Sequence, residues 1–265
     1  DSVNGNANSG AGRNPSGRIS TLAGAQALCT AGQGDVVYVA PNHAESIIGA
    51  AGMTFSVSNV TYVGIGSGRL RPTITFSTST AAQMLITGQG ITFQNFVFDF
   101  TGIDAIVAAI LISSADVRFD NCEFICNSAT AGCVLGILTA ATADRLQIES
   151  CFFRGAATNS GTTTTAQVKH EVGVDYLIRN NIFQGKMTQA ILNATACLRG
   201  NIDNNRFVVG TGTVAITMNS SSTPFITNNR INVASGTAPI VAAAGFMSGN
   251  NYSAAAGVTA GTAST

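Results

Sequence analysis

Apolar and polar positions recur along this chain in a six-residue pattern: apolar, polar, Asn, variable, variable, aromatic. Phe93-Gln94-Asn95-Phe96-Val97-Phe98 is the clearest copy. It returns at Phe119–Phe124, Ile148–Phe153, Ile178–Phe183, Ile202–Phe207 and Ile226–Ile231, with a degraded copy at Met247–Tyr252 and an earlier one at Val57–Tyr62. From Phe93 onward the copies begin 26, 29, 30, 24, 24 and 21 residues apart. A period in this range marks a stacked-repeat architecture. Within each copy, short runs such as Ile91-Thr92-Phe93 and Val117-Arg118-Phe119 alternate with period two, the mark of half-buried strands. No sustained helical stripe competes with them.

A repeat of about 24 residues holds roughly three short strands and three bends, one coil of a solenoid. One coil cannot bury its own apolar face, whereas a stack buries a continuous core. The expected fold is therefore all-β: a single-stranded, right-handed parallel β-helix of about eight or nine coils, a rod roughly 40 Å long at about 4.8 Å per coil. The recurring Asn, third in the pattern, falls where the coil must bend, because Asn tolerates the left-handed backbone region. Stacked copies can also hydrogen-bond along the axis as an Asn ladder. The sixth position (Phe98, Phe124, Phe153, Phe183, Phe207) predicts an internal aromatic column. The expected division is an N-terminal arm over 1–22, the capped β-helix over 23–253 and a tail over 254–265, which is either a strap over the last coil or an arm to a neighbour.

The opening is more specific. Arg13-Asn14-Pro15-Ser16-Gly17-Arg18-Ile19-Ser20-Thr21-Leu22 leads into an Ala-rich stretch, then Gly34-Asp35-Val36-Val37-Tyr38-Val39-Ala40-Pro41 and Glu45-Ser46-Ile47. This order resembles the start of the pectate-lyase-like, right-handed parallel β-helix superfamily, and the resemblance runs from about residue 13 to 253. It implies a short helix capping the open end, expected at residues 23–29, and a first coil opening on the Gly-Asp-hydrophobic strand. The pattern departs at Asn42-His43, where the family has Gly and Tyr.

Charge narrows the function classes. Thirteen basic and thirteen acidic side chains give zero net charge, and only 10% of residues are charged. That argues against a nucleic-acid groove and a polybasic membrane patch. No apolar run is long enough for a membrane helix, so no membrane insertion is expected. The chain starts at Asp1 without a signal-like segment. The neutral surface is either covered by partners in an assembly or simply clothed in Thr and Ser.

Six cysteines (Cys29, Cys122, Cys126, Cys133, Cys151, Cys197) include no C-x-x-C pair, so no zinc site is expected. Cys122 and Cys151 share the fourth position of adjacent coils, within disulfide range, and Cys126 and Cys133 flank a short loop. Packing as small apolar residues is the alternative for both pairs.

Enzymes of the resembled superfamily cleave polysaccharides with carboxylates aligned on one outward face. The second position supplies such a column: Gln94, Asp120, Glu149, Arg179, Asp203, Thr227. If the protein is an enzyme, Asp120, Glu149, Arg179 and Asp203 are its candidate residues, with the first two as a carboxylate pair and Arg179 beside it. The column also explains itself as stacked opposite charges, with Arg179 between Glu149 and Asp203. Glu123, Arg206 and Arg230, at the fifth position, suggest a second surface column. Lys169-His170-Glu171 lies in one strand-like run, so its side chains alternate faces. Gly64-Ile65-Gly66-Ser67-Gly68-Arg69 has no following helix and reads as a coil turn rather than a phosphate loop.

Trp is absent and Tyr numbers four, leaving few aromatics for a sugar platform. The neutral, Ala/Gly/Thr/Asn-rich makeup resembles β-helix proteins of bacteriophage particles. That implies a non-enzymatic structural role on a virion surface, as capsid decoration, cement or small spike. Its expected partners are further copies of the chain (a trimer) and the major capsid protein. The alternatives are a tailspike-like or secreted polysaccharide lyase or hydrolase, and a glycan-binding adhesin, for which a host glycan is the partner. No cofactor or metal is expected.

Overall fold

The structure, a computed structural model, describes residues 17–157, 164–210, 213–233, 239–242 and 245–254. The arm over residues 1–16 and the tail beyond Ala254 lie outside the described residues. Each full coil contributes one strand to each of three parallel sheets. In the coil that opens on the clearest repeat these are Thr92–Gln94, Val97–Gly102 and Ile110–Ile112. The first sheet begins at Val36–Val39 and ends at Phe246–Ser248; the second runs from Ala44–Ile47 to Asn251–Ala254; the third from Met53–Phe55 to Ile240–Val241. Among the described residues, eight coils carry all three strands and a ninth carries two.

The repeat maps onto one corner of the coil. Its first residue points inward from the first sheet, where Phe93, Phe119, Ile148, Ile178 and Ile202 align strand to strand. Its second residue points outward, and its third turns the corner into the second sheet. The turn is left-handed at Asn95, Asn121, Ser150, Asn180, Asn204, Asn228 and Gly249, with φ between 51 and 66°. Asn meets this need because its short polar side chain lowers the cost of the αL region, about 1–2 kcal/mol for an ordinary L-residue. The sixth residue re-enters the core. The rings of Phe98, Phe124, Phe153, Phe183 and Phe207 stack at 4.5–5.2 Å and within 12° of parallel. Each such pair contributes about 0.5–1.5 kcal/mol beyond its buried area.

The copy at Val57–Tyr62 is displaced from this corner. Tyr62 pairs with Phe93 rather than Phe98, so Asn59 turns the corner from the third sheet into the first. That corner has its own left-handed column: Asn59, Gly90, Asp116, Arg145, Asp175 and Arg199, with φ of 52–69°. Asn59, Gly90, Asp116, Arg145 and Asp175 each donate their N–H to a carbonyl of the following coil. Charge alternates along it. Arg145 grips Asp116 at 2.5 and 2.8 Å, and Arg199 grips Asp175 at 2.7 and 2.9 Å.

The helix spans Leu22–Gln26, shorter than the expected 23–29, because Leu28 and Cys29 close tight i→i+3 turns instead. Thr21 caps it, its hydroxyl accepting from the Gly24 N–H at 3.0 Å. The Gln26 side chain then acts like a strand neighbour. It donates to the Thr54 carbonyl at 2.9 Å and accepts from the Ser56 N–H at 2.8 Å, covering the free edge of Met53–Phe55. Glu45 Oε2 takes the Leu22 N–H and lies 2.9 Å from His43 Nε2.

Candidate functional site

The fourth position of the repeat carries a polar column that the sequence reading assigned to the third. Asn181, Asn205 and Asn229 are buried, and with Asn250 they form an amide ladder along the axis. Each of the first three donates Nδ2–H to the next Oδ1 at 3.0–3.1 Å. All four donate a second Nδ2–H to the carbonyl of the first-position residue one coil back, Ile148, Ile178, Ile202 or Ile226. Each Oδ1 also accepts the backbone N–H of the preceding rung. The third-position residues make fewer links, and these are exposed: Asn204 to Asn180 at 2.8 Å and Asn121 to Asn95 at 3.3 Å.

Cys122 and Cys151 continue the buried column toward the N-terminus by the same rule. Their thiols lie 3.5 and 3.6 Å from the Phe93 and Phe119 carbonyls, and the Cys122 N–H donates to Cys151 Sγ at 3.4 Å. All six cysteines are free thiols.

The second-position column stands in the expected register. Asp120 aligns with Glu149, Glu149 with Arg179, and Arg179 with Asp203. Arg179 binds Glu149 Oε2 through Nε at 3.1 Å and Nη2 at 2.9 Å. Arg118, which the repeat had not singled out, lies one position before the inward Phe119. Its Nη2 is 3.2 Å from Asp120 Oδ2 and 3.6 Å from Glu149 Oε2. Glu149 is buried beneath these two guanidinium groups. The expected Arg179–Asp203 pair does not form among the described residues. Asp203 Oδ1 accepts instead from Thr227 Oγ1 at 2.7 Å and Asn228 Nδ2 at 2.9 Å.

The fifth-position column is interrupted. Phe152 and Ile182 stand between Glu123 and Arg206 in the second sheet. Glu123 is buried and ion-paired with Arg71 and, at 2.8 Å, with Arg154 Nε. Arg71 follows the glycine-rich segment, which forms a corner loop with a 3₁₀ turn at Gly68–Leu70. Asn95 Nδ2 anchors the loop by donating to the Gly64 and Gly66 carbonyls at 2.7 and 2.9 Å.

Between this loop and the column lies an open groove of about 600 Å³, bounded by Val63, Gly66–Gly68, Arg71, Gln94, Asn95, Asp120 and Asn121. Of the four candidate catalytic residues, only Asp120 borders it, and no aromatic side chain lines it. The exposed aromatics of the first sheet's outer face are Tyr38 near one end and the Phe225–Phe246 pair near the other.

His170 points into the core and Lys169 outward, where it pairs with Glu171. His170 Nδ1 lies 3.2 Å from Cys197 Sγ, and its ring packs on Tyr176 at 4.7 Å. Burial drives the His170 pKa down to about 4 and pushes the Cys197 thiol up to about 12. A neutral imidazole beside a protonated thiol, both without solvent access, is a core contact and not a nucleophile pair. Among the described residues no group of three or more His, Cys, Asp or Glu could hold a metal ion, and no helix is long and apolar enough to cross a membrane.

The chain matches no protein-family model, no curated protein and no solved structure.

Proposed function

We propose that this protein is a non-catalytic structural rod on the surface of a virus particle, a decoration, cement or small spike component. The observation that carries the non-catalytic part is the state of the carboxylate column. Glu149 is buried under Arg118 and Arg179, and Asp203 is held by Thr227 and Asn228. An acid–base pair needs both carboxyl groups turned toward one substrate bond, and only Asp120 faces the groove. The particle context rests on the resemblance in makeup, a neutral and Ala/Gly/Thr/Asn-rich solenoid. Exposed apolar side chains at both ends of the first sheet, Val36 and Tyr38 against Phe225 and Phe246, give surface to bury against other copies or a capsid protein.

Quantitative mass spectrometry of purified particles tests this reading. Many copies in simple ratio to the major capsid protein are expected of a decoration or cement. A few copies in multiples of three are expected of a spike. Absence from particles overturns the proposal.

The groove beside Asp120 favours one second reading, glycan binding or cleavage by a tailspike-like or secreted lyase or hydrolase. Chain-end release from a capsular polysaccharide, lost in Asp120→Asn, would put that reading first.

A further inference from the structure

We propose that Cys126 and Cys133 form an intrachain disulfide on exposure to a peroxide, stapling the corner between the second and third sheets. The inference is independent of the functional reading above. Cys126 ends the strand Glu123–Cys126, and Cys133 bridges Ile106 just before the strand Leu135–Thr139. Six residues separate them, so both belong to one coil and one turn. Their sulfurs are 3.6 Å apart, so about 1.5 Å of approach reaches the disulfide bond length.

The surroundings give the two sulfurs different roles. The Cys133 N–H donates to Cys126 Sγ at 3.4 Å, and Thr164 Oγ1 lies 3.2 Å from the same sulfur. With the Cys133 thiol beside them, these groups surround Cys126 with donors that favour its thiolate. The hydrogen bond from Cys133, first among these causes, brings the Cys126 pKa down to about 7, while burial holds the Cys133 thiol protonated. Cys126 is thus the attacking sulfur and Cys133 the resolving one. Asn127, Ala129 and Thr130, in the turn between the two cysteines, are exposed to solvent.

The step balances. The Cys126 thiolate attacks one peroxide oxygen, the O–O bond breaks, and the departing hydroxide takes up a proton to become water. The resulting sulfenic acid is attacked by the Cys133 sulfur. Its S–O bond breaks as the S–S bond forms, and the hydroxyl leaves with the Cys133 proton as a second water. Two thiols and hydrogen peroxide become one disulfide and two waters.

The pair stacked across adjacent coils is different in kind. The Cys122 and Cys151 thiols are directed at backbone carbonyls, Asp120 at 3.4 Å and Glu149 at 3.1 Å besides those already named. Each fills a rung of the column.

The full-length folded chain should be treated with hydrogen peroxide, denatured, alkylated and mapped by mass spectrometry without reduction. The expected result is a cross-linked peptide joining Cys126 to Cys133, with two of the six thiols lost and recovered by dithiothreitol. The thermal midpoint should rise on oxidation. In Cys133→Ser a Cys126 sulfenic acid should be trapped by dimedone; if that variant does not fold, the wild-type map decides alone. All thiols intact, over-oxidation of Cys126 without a cross-link, or a Cys122–Cys151 link would each overturn the proposal.

Discussion

The Cys151 backbone N–H donates to the side-chain oxygen of Asn181 at 2.8 Å. At this point a column of sulfur rungs becomes a column of amide rungs without losing register. One coil earlier the Cys122 N–H donates to Cys151 Sγ at 3.4 Å, the same bond with a softer acceptor. A cysteine here is a weak polar rung. Replacing Cys151 with Val removes the acceptor of a buried N–H, which costs about 1–3 kcal/mol. Cys151→Asn offers an oxygen in its place and should cost less. Urea denaturation of the two variants checks the order.

The two asparagine columns should differ in weight. Asn205→Leu takes the acceptor from the buried Asn181 N–H and from one Asn181 Nδ2–H, and removes a donor from the Ile178 carbonyl. A loss of about 3 kcal/mol or more is expected. Asn204→Leu forces a branched residue into a φ of 51° and removes one exposed bond, for a smaller loss of about 1–2 kcal/mol. Equal losses in chemical denaturation would contradict the assignment of the buried ladder to the fourth position.

Gly200 has no room for a methyl group. A Cβ there would sit 1.8 Å from Tyr176 Cζ, and Tyr176 is fixed by the bond its hydroxyl accepts from Asn193 at 2.7 Å. Gly200→Ala should cost about 3 kcal/mol or more, at or above the upper end of ordinary overpacking. Adding Tyr176→Leu to Gly200→Ala should recover part of it. A thermal midpoint unchanged by Gly200→Ala would mean the ring is free to move.

Acid should weaken the fold in two steps. His170 binds its proton near pH 6.5 when unfolded and only near pH 4 when folded. Between those values the unfolded chain holds more protons, so stability rises with pH across the window and is lost on acidification, by about 3 kcal/mol in all. Hydrogen bonds from Arg145 and Arg199 hold Asp116 and Asp175 below the usual carboxylate range. Their contribution is present above the unfolded carboxylate pKa and disappears as pH falls below it, which forms the second step. Denaturation midpoints from pH 7 to 3 should show the first step removed in His170→Asn and the second retained.

The coil was legible in the sequence because its strongest signals are stereochemical. Asn at the third position marks φ, and Phe at the sixth marks the inward face. Asn59 imitates the other corner because both corners use left-handed residues and an aromatic stands three positions after each, Tyr62 after Asn59 and Phe98 after Asn95. The buried ladder carried a signal in the doublets Asn180-Asn181, Asn204-Asn205 and Asn228-Asn229, whose second member does the buried work. In the candidate site, register put Asp120, Glu149, Arg179 and Asp203 in one row. Choice of partner was not legible, because it depends on which guanidinium reaches which oxygen. Arg118 enters from one position off the repeat and Arg71 from the loop between Gly64 and Thr73, so period alone assigns neither to a carboxylate.

Asn181, Asn205 and Asn229 are separated by 24 residues each. The side chain of each rung bonds to the coil before it and the coil after it. A gene segment encoding one such interval therefore carries a self-contained unit of growth. Tandem copying of it would lengthen the molecule by about 4.8 Å and leave every older bond in its former surroundings. In this half of the chain, length is open to evolutionary adjustment by duplication, one coil at a time.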